Sequence, residues 1–348
     1  GFPWELTDEI AKEQGLTIDK EGFEASMAEQ KERARAARAK VSAKVATPDT
    51  TKLDAASLTT EDRDGETKLL LLGKEGKEIK EAADGTEVTV ILQNNPFHAE
   101  GGGQVGDTGT ITGAEGVMDV EDTKKLPDGI VYVIGTVREG TISEGDTVKA
   151  VVDRDRREDL ARNHTGTHML QAALREVLGG QVNQAGSLVL PDRLRFDFTW
   201  PEPLSSKQLS AVEEAVNREI LGEKYGSVVR VVSVGDFSKE LCGGSHVGNS
   251  GELGSFRIIS EGGIGSGLRR IEAVTGKKAY EMMKADRALL ENSAALLKGK
   301  VENIPEKIEK LLSEVKDLEK QLEAMKKQQT KDELGSIMQN IQEKKGVP

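Results

Sequence analysis

The chain has 348 residues, which predicts two or three domains at about 150 residues per domain. Apolar residues make up 36% of the sequence and 38 residues are glycine, enough to build hydrophobic cores and to exclude a wholly disordered chain. We expect no membrane-spanning helix, because no apolar run approaches about 18 residues, and no secretory signal segment. The single cysteine, Cys242, excludes an internal disulfide and indicates an intracellular, cytoplasmic protein.

The net charge of −12 lies entirely in the first part of the chain. Residues 1–150 contain 18 Lys and Arg against 30 Asp and Glu, whereas residues 151–348 contain 30 of each. Bulk charge therefore does not indicate a nucleic-acid partner, although a local basic stripe is sufficient for one. We expect such a stripe in the second part.

Residues 1–47 are predicted to form a helical segment. Thr7 suits the N-cap of a short helix ending at Gly15, and residues 20–42, rich in Glu, Lys, Arg and Ala, predict one exposed helix. A polar linker follows. The start at Gly1 without a methionine, and the end soon after a long helix, favour a segment of a longer polypeptide.

Residues 48–153 predict a small, glycine-rich antiparallel β-barrel. Turn residues separate short apolar runs at residues 69–72, 88–92, 130–134 and 148–152. Residues 154–276 predict a mixed α+β domain, with helices at 154–178 and 205–222 and strands at 187–190, 193–199, 227–234 and 255–259.

Residues 277–348 predict a helical tail. A first helix covers 277–298, and Asn303 and Pro305 indicate the start of a second. This second helix carries a heptad seam made of Ile308, Leu311, Val315, Leu318, Leu322 and Met325. The seam fits a self-contained helical hairpin and an intermolecular coiled coil equally well.

The scarcest residues of the chain fall in two short motifs. His164 and His168 lie at positions i and i+4 of a predicted helix, and Cys242 and His246 have the same spacing on a glycine-containing loop. Each pair alone is a weak signal. Together they use the single cysteine and three of the four histidines, and this borderline-soft donor set predicts a Zn²⁺ site.

Six motifs occur along the chain, in the order FHAEGGGQVGD (97–107), NHTGTH (163–168), QAGSLV (184–189), DRLRFD (192–197), CGGSH (242–246) and GLRRIEA (267–273). They resemble the editing domain of alanyl-tRNA synthetases, and Gly1-Phe2-Pro3 resembles the exit from the aminoacylation half. The resemblance covers nearly the whole chain. Two residues depart from it: Gly166 stands where alanine is expected, and His98 where tyrosine is common.

The resemblance implies an α+β protein in which the β-barrel precedes a zinc-containing editing domain. It implies hydrolysis of mischarged Ser-tRNA(Ala) and Gly-tRNA(Ala) at the acceptor end, by a zinc-dependent deacylase belonging to an alanine-tRNA ligase. A synthetase pocket sized for alanine cannot exclude glycine, because a missing methylene is worth only about 1–3 kcal/mol. No class II aminoacylation motif with its ATP-binding arginines is visible, so we do not expect this chain to charge tRNA.

Several residues are candidates for roles in that reaction. Thr167 lies one helical turn after His164, where its hydroxyl can bond a seryl hydroxyl or pack as an ordinary helix residue. Gln184 can orient the ester or a water, and Gly243 and Gly244 can turn backbone N–H groups toward an oxyanion. Candidate tRNA contacts are Arg193, Arg195, Arg269 and Arg270, and we expect the first two to share a face with Asp197 only through a bend.

Three questions stay open at this level. Four protein ligands would close a tetrahedral zinc, so either one of them is an outer ligand or the site expands on binding substrate. Residues 101–104, which lack the Lys-Ser/Thr of a P-loop, form either a barrel turn or a path for the tRNA end. The chain as a whole is an editing hydrolase, a binding module with structural zinc and oligomerising helices, or a free-standing editing protein. The opening motif argues against the last.

Overall fold

A computed structural model describes residues 11–12, 19–20, 22, 26, 49–51, 53, 58–60, 63–219, 231–235 and 237–339. The helices predicted before residue 47 lie largely outside these residues. The end of the helix predicted at 205–222 (residues 220–222) and the start of the strand predicted at 227–234 (residues 227–230) also lie outside them. None of the helices within the described ranges has the length and apolar character needed to cross a bilayer.

The first part of the structure is a closed antiparallel barrel. Within the described residues, six strands form it: β1 (Gly65–Lys74), β2 (Glu87–Leu92), β3 (Gly109–Thr112), β4 (Gly116–Lys125), β5 (Val131–Ser143) and β6 (Thr147–Val152). Their order is β6-β3-β4-β5-β2-β1, and pairing of β6 with β1 closes the ring. Short strands accompany it at Thr59–Thr60, Lys77–Glu78, Glu81–Ala83 and Asn94–Asn95. The predicted barrel is therefore confirmed.

Two of the barrel strands, β3 and β4, were not predicted from the sequence, because neither contains a continuous run of apolar residues. In β4 the buried Met118 and Val120 alternate with the charged Asp119 and Glu121. Only the face toward the barrel core is apolar, as is usual for an antiparallel strand with one solvated face. Leu69, Leu72 and Ile111 pack in the same core as Met118 and Val120.

The second part of the structure is an α+β fold built on a four-stranded antiparallel sheet. The sheet has the order β7-β8-β12-β11, formed by β7 (Gln184–Val189), β8 (Leu194–Thr199), β11 (Phe256–Gly265) and β12 (Leu268–Thr275). Helices α1 (Arg154–Leu178) and α2 (Ser206–Glu219) pack together, and α1 also contacts the sheet. A hairpin of β9 (Val231–Val234) and β10 (Ser238–Leu241) and a 3-10 turn (Ser250–Leu253) complete it.

Helix α1 has the predicted bounds because both ends are capped. The Asp153 carboxylate accepts a hydrogen bond from the Arg156 backbone N–H at 3.1 Å, and Gly179 ends the helix at φ +111°. One face, including Met169 and Leu174, packs in a core with Phe196 of β8. The helix is thereby fixed against the sheet along its length.

The chain divides into two compact units, residues 1–279 and residues 280–348. Helix α3 (Gly276–Leu296) crosses this boundary, and a 3-10 turn (Val301–Asn303) precedes α4 (Ile304–Gln339). The predicted tail is therefore helical. The heptad residues of α4 are between 44% and 71% exposed, and the coiled coil stays a prediction. The predicted boundaries 1–47, 48–153, 154–276 and 277–348 also remain predictions.

Candidate metal centre

The two scarce-residue motifs meet at one place in the structure. His164 and His168 lie one turn apart on α1, and their rings stack with centroids 5.3 Å apart. The loop after β10 brings the His246 ring to 4.6 Å and 5.1 Å from these two rings, between centroids. Cys242 lies on the same loop, and one donor atom from each of the four residues falls within 4.8 Å of the others.

The separation of donors fits a small tetrahedral ion. Cys242 Sγ lies 3.3 Å from His164 Nε2. Bonds of about 2.3 Å to sulfur and about 2.0–2.1 Å to nitrogen place neighbouring tetrahedral donors roughly 3.3–3.7 Å apart. The backbone N–H of Gly244 points at the same sulfur, at 3.5 Å. The four side chains can therefore hold a metal ion.

Gln104 of the glycine-rich barrel loop fixes the orientation of His164. The backbone N–H of Ser245 donates to Gln104 Oε1 at 2.9 Å, and Gln104 Nε2 donates to Ser245 Oγ at 3.1 Å, so the orientation of the amide is defined. Its oxygen lies 2.6 Å from His164 Nδ1, which must then be the protonated ring nitrogen. The lone pair of Nε2 is left facing Cys242, as metal ligation requires.

The environment also keeps His164 neutral. Burial, followed by the charges of His168 and His98, lowers the pKa of His164 to about 3. A ligand histidine must be unprotonated, and His164 meets this requirement at neutral pH.

Thr165 supports His246 in the same way that Gln104 supports His164. Its hydroxyl oxygen lies 3.1 Å from His246 Nδ1 and accepts from the Val247 backbone N–H at 3.3 Å. Ligation through Nε2 requires that Nδ1–H donates to Thr165, whose second lone pair is available for it. Thr165 is fully buried, so water does not compete for this contact.

Two glycines permit the close approach of these loops. A Cβ on Gly244 would overlap the His164 ring, so a side chain there would displace the imidazole. Gly103 has φ +86°, and a Cβ on it would collide with Ser187. The Gly103 carbonyl accepts from the Val189 backbone N–H at 2.7 Å, which joins the barrel loop to the edge strand β7. The barrel therefore supplies one wall of the centre.

A buried ion pair connects helix α1 to the barrel segment that precedes the glycine-rich loop. The Arg157 guanidinium of α1 contacts the Asp107 carboxylate, whose side chain is only 1% exposed. Asp107 also accepts from the His98 backbone N–H at 2.7 Å, and Arg157 donates to the Pro96 carbonyl at 2.6 Å. The first turn of α1 is thus tied to residues 96–98.

The predicted substrate-directed residues have different surroundings. Thr167 is buried, and its hydroxyl donates to the Asn163 carbonyl at 2.9 Å. Gln184 is exposed and donates to Ser187 Oγ at 3.1 Å, and Ser187 Oγ lies 3.4 Å from the Gly102 carbonyl. Gly243 is exposed beside Cys242. The roles of Thr167, Gln184, Gly243 and Gly244 stay predictions.

The four candidate tRNA-contacting arginines are paired with carboxylates. Arg269 binds Glu261 at 2.6 Å, Arg270 binds Asp197 at 2.7 Å, and Arg193 lies near Asp192 and Glu272, at 3.1 and 3.8 Å.

The expectation that Arg193 and Arg195 share a face with Asp197 only through a bend was wrong. Residues two apart on a strand point to the same face, and Arg195 Nε lies 3.7 Å from Asp197 Oδ1 without one.

Sequence reasoning missed Gln104, Thr165 and the Asp107–Arg157 pair. All lie in or near recognisable motifs, yet none is a ligand type at ligand spacing. Their importance comes from contacts between residues 50 to 141 positions apart, which no local pattern contains.

Two family models match the chain. One is described as tRNA synthetases class II (A) and matches residues 1–156, which include the barrel. The other is described as the threonyl and alanyl tRNA synthetase second additional domain and matches residues 229–272, which include Cys242 and His246.

Curated relatives extend this similarity over most of the chain. An alanine–tRNA ligase of Clostridioides difficile (strain 630) is 45% identical over 313 residues, covering 82% of this chain and 36% of the relative. One of Lysinibacillus sphaericus is 45% identical over 323 residues, covering 85% and 36%. One of Listeria innocua is 44% identical over 325 residues, covering 85% and 37%. The chain spans a little over a third of these relatives' length, and it belongs to the alanyl-tRNA synthetase family.

Proposed function

We propose that the chain is a zinc-dependent editing deacylase that hydrolyses Ser-tRNA(Ala) and Gly-tRNA(Ala). The observation that carries this proposal is the convergence of His164, His168, Cys242 and His246, two of them within the second additional domain match. Zinc suits the set because it is borderline-soft and binds thiolate and imidazole together in tetrahedral geometry. A zinc ion bound there would supply a Lewis acid or an anchor for the amino acid.

The reaction balances as simple ester hydrolysis. Water adds to the ester carbonyl carbon, the bond from this carbon to the ribose oxygen breaks, and the ribose oxygen takes up the proton that water loses. The products are the free amino acid and tRNA with a free terminal hydroxyl. We assign stabilisation of the intermediate oxyanion to the backbone N–H groups of Gly243 and Gly244, the second of which would be shared between the oxyanion and Cys242 Sγ. Orientation of the ester or of the water is assigned to Gln184.

Selectivity for serine is assigned to Thr167. Its hydroxyl proton is directed to the Asn163 carbonyl, so the oxygen can only accept another hydrogen bond. A seryl hydroxyl would donate to it, whereas an alanyl methyl group cannot. One such bond is worth about 0.5–1.5 kcal/mol net, which is roughly a two- to tenfold preference.

The direct test measures hydrolysis of Ser-, Gly- and Ala-tRNA(Ala) with and without a zinc chelator, together with zinc content by elemental analysis. We expect about one zinc per chain, and hydrolysis that is lost with chelator and restored by zinc. Cys242→Ala and His164→Ala should lose zinc and activity together, while Lys207→Ala, at an exposed position of α2, serves as a control.

A second function is favoured by the number of ligands. Four protein ligands close a tetrahedral zinc, which is typical of structural sites. The chain would then be a binding module for the tRNA acceptor end. A folded protein with full zinc content that hydrolyses none of the three esters would support this module and reject the deacylase.

The proposed tRNA contacts and self-association need separate tests. If Arg193 contacts a phosphate, Arg193→Ala should weaken tRNA binding. It should also reduce the slope of the logarithm of the binding constant against the logarithm of salt concentration by about one. The same measurement on alanine variants of Arg195, Arg269 and Arg270 tests the other three proposed contacts. Sedimentation at several concentrations tests whether the heptad seam of α4 joins two copies.

A further inference from the structure

We propose that Asn163, the residue before His164 on α1, is a positioning residue of the metal centre. Its side chain holds the turn of α1 that carries His164 against the edge strand β7, and thereby keeps the His164 ring on Gln104. This inference rests on the proposed function, because it concerns how the zinc ligands are held. Asn163 is 2% exposed, so water does not compete for its contacts.

The Asn163 amide makes three hydrogen bonds to two other parts of the fold. Its Nδ2 donates to the Leu190 carbonyl at 2.7 Å and to the Pro191 carbonyl at 3.1 Å. Its Oδ1 accepts from Thr275 Oγ1 at 2.8 Å. Carbonyl oxygens only accept, so the orientation of the amide is defined. Leu190 and Pro191 form the turn between β7 and β8, and Thr275 ends β12, so one side chain joins α1 to both.

These bonds serve tertiary placement rather than the helix itself. Asn163 lies in the interior of α1, far from both caps, where asparagine is a poorer helix former than alanine, leucine or glutamate. All three bonds of its amide reach residues 27 to 112 positions away in the sequence. What the side chain stabilises is therefore the position of α1 on the sheet.

Strand β7 is in turn bonded to the barrel loop that carries Gln104. Val189 is the last residue of β7 and precedes Leu190. Its N–H donates to the Gly103 carbonyl at 2.7 Å, and its C=O accepts from the Val105 N–H at 3.3 Å. Gln104 lies between these two loop residues, so the position of its backbone depends on the position of β7.

The chain of contacts closes at His164. Gln104 Oε1 lies 2.6 Å from His164 Nδ1, and His164 is the covalent neighbour of Asn163. The ligand histidine is thus held twice, by Gln104 directly and by Asn163 through β7. A shift of α1 along β7 would lengthen or bend the bond from His164 to Gln104, and hydrogen bonds weaken steeply when they bend.

The first measurement uses the metal-free protein and depends neither on zinc nor on an ester. NMR with histidine-selective isotope labelling follows the Nδ1–H proton of His164, one of four histidines in the chain. A proton held inside the protein exchanges with water only when the structure opens locally. Asn163→Ala should accelerate this exchange roughly two- to tenfold, the range that corresponds to one net hydrogen bond.

Asn217 offers a matched control elsewhere in the fold. Its Nδ2 donates to the Glu213 and Phe256 carbonyls, both at 2.9 Å, and its Oδ1 accepts from the Phe256 N–H at 2.9 Å. It therefore joins α2 to β11 with the same three kinds of bond. Asn217→Ala should destabilise the protein in urea but leave exchange of the His164 proton unchanged. Equal acceleration in Asn163→Ala and Asn217→Ala would overturn the positioning role, because overall stability would then explain both.

Zinc affinity gives a second readout, through a double-mutant cycle with Gln104. Asn163→Ala should weaken zinc binding by up to about tenfold in the wild-type background. In the Gln104→Leu background it should have no further effect, because the contact that Asn163 maintains is already absent. Such a cycle isolates the interaction between two residues, and losses that simply add would overturn the proposal.

A pair of Thr275 variants decides the question if Asn163→Ala does not fold. Thr275→Val keeps the shape of the side chain but removes the hydroxyl that donates to Asn163 Oδ1. It should accelerate exchange of the His164 proton, whereas Thr275→Ser keeps the hydroxyl and should restore the wild-type rate. A folded Thr275→Val protein with the wild-type rate would overturn the proposal.

Failure of this inference and failure of the proposed function give different results. A wild type that binds zinc and hydrolyses Ser-tRNA(Ala), with an unchanged exchange rate in Asn163→Ala, would overturn the positioning role alone. A wild type that hydrolyses no ester, with faster exchange in Asn163→Ala but not in Asn217→Ala, would reject the deacylase and support the positioning role.

Discussion

Gln104 is the residue through which the barrel is expected to control the metal centre. It is 2% exposed and accepts hydrogen bonds from His164 Nδ1–H and from the Ser245 backbone N–H. Replacing it with leucine fills a similar volume but removes the acceptor. The imidazole of His164 then loses the contact that fixes its tautomer and ring plane.

The leucine variant loses three hydrogen bonds: those that Gln104 Oε1 accepts from His164 and from the Ser245 backbone, and the one that Nε2 donates to Ser245 Oγ. Removing the outer partner of a ligand histidine typically costs about 10- to 100-fold in metal affinity, which is roughly 1.4–2.7 kcal/mol. The metal-free protein should also be destabilised, because each buried donor left unsatisfied costs about 1–3 kcal/mol. Gln104→Glu keeps an acceptor for both donors and should bind zinc nearly as well as the wild type.

The assay is a competition for zinc with a chromophoric chelator, run on the wild type, Gln104→Leu and Gln104→Glu. Urea denaturation of the metal-free proteins measures stability separately. Equal zinc affinity in the leucine variant and the wild type would refute the positioning role of Gln104. Equal losses in both variants would show that the site needs the amide N–H to Ser245 Oγ rather than the acceptor.

Four further predictions follow from particular contacts. Arg157→Met should lower the free energy of unfolding by about 3–5 kcal/mol in urea denaturation, because the buried Asp107 carboxylate loses its cation, and a loss below about 1 kcal/mol would contradict this. Gly166→Ala should raise the free energy of unfolding by up to about 1 kcal/mol through helix propensity. The new methyl would lie 3.1 Å from Thr275 Cγ2 and 3.2 Å from Leu194 Cδ2, so a destabilised variant would mean that these groups cannot yield. Thr167→Val should reduce the ratio of seryl to alanyl ester hydrolysis roughly two- to tenfold with unchanged zinc content, while Thr167→Ser keeps it; an unchanged ratio would leave Thr167 as a packing residue. A chain ending after Ala279 should keep zinc and hydrolysis, because every candidate site residue lies in the first compact unit, and loss of hydrolysis in a folded product would give the tail a role in the site.

The sequence by itself determined the elements that have a strong local signal. The N-cap at Asp153 and the glycines after residue 178 set the bounds of α1, because capping is satisfied by residues three or four positions apart. The i, i+4 spacing of His164 and His168 likewise follows from helix geometry alone. The metal-ligand group could be predicted from the sequence for a different reason. Histidine and cysteine are so scarce in this chain that two pairs of them at the same spacing indicate a shared role.

Only the tertiary structure decided what holds those ligands in place. Gln104 meets Ser245 across 141 residues of sequence, and Arg157 meets Asp107 across 50, because the barrel loop pairs with the edge strand β7. Strand β4 was missed because its solvated face is charged, and its inward face becomes visible only when the barrel closes. Long-range contacts depend on how elements pack, and packing is a property of the whole chain that no window of residues contains.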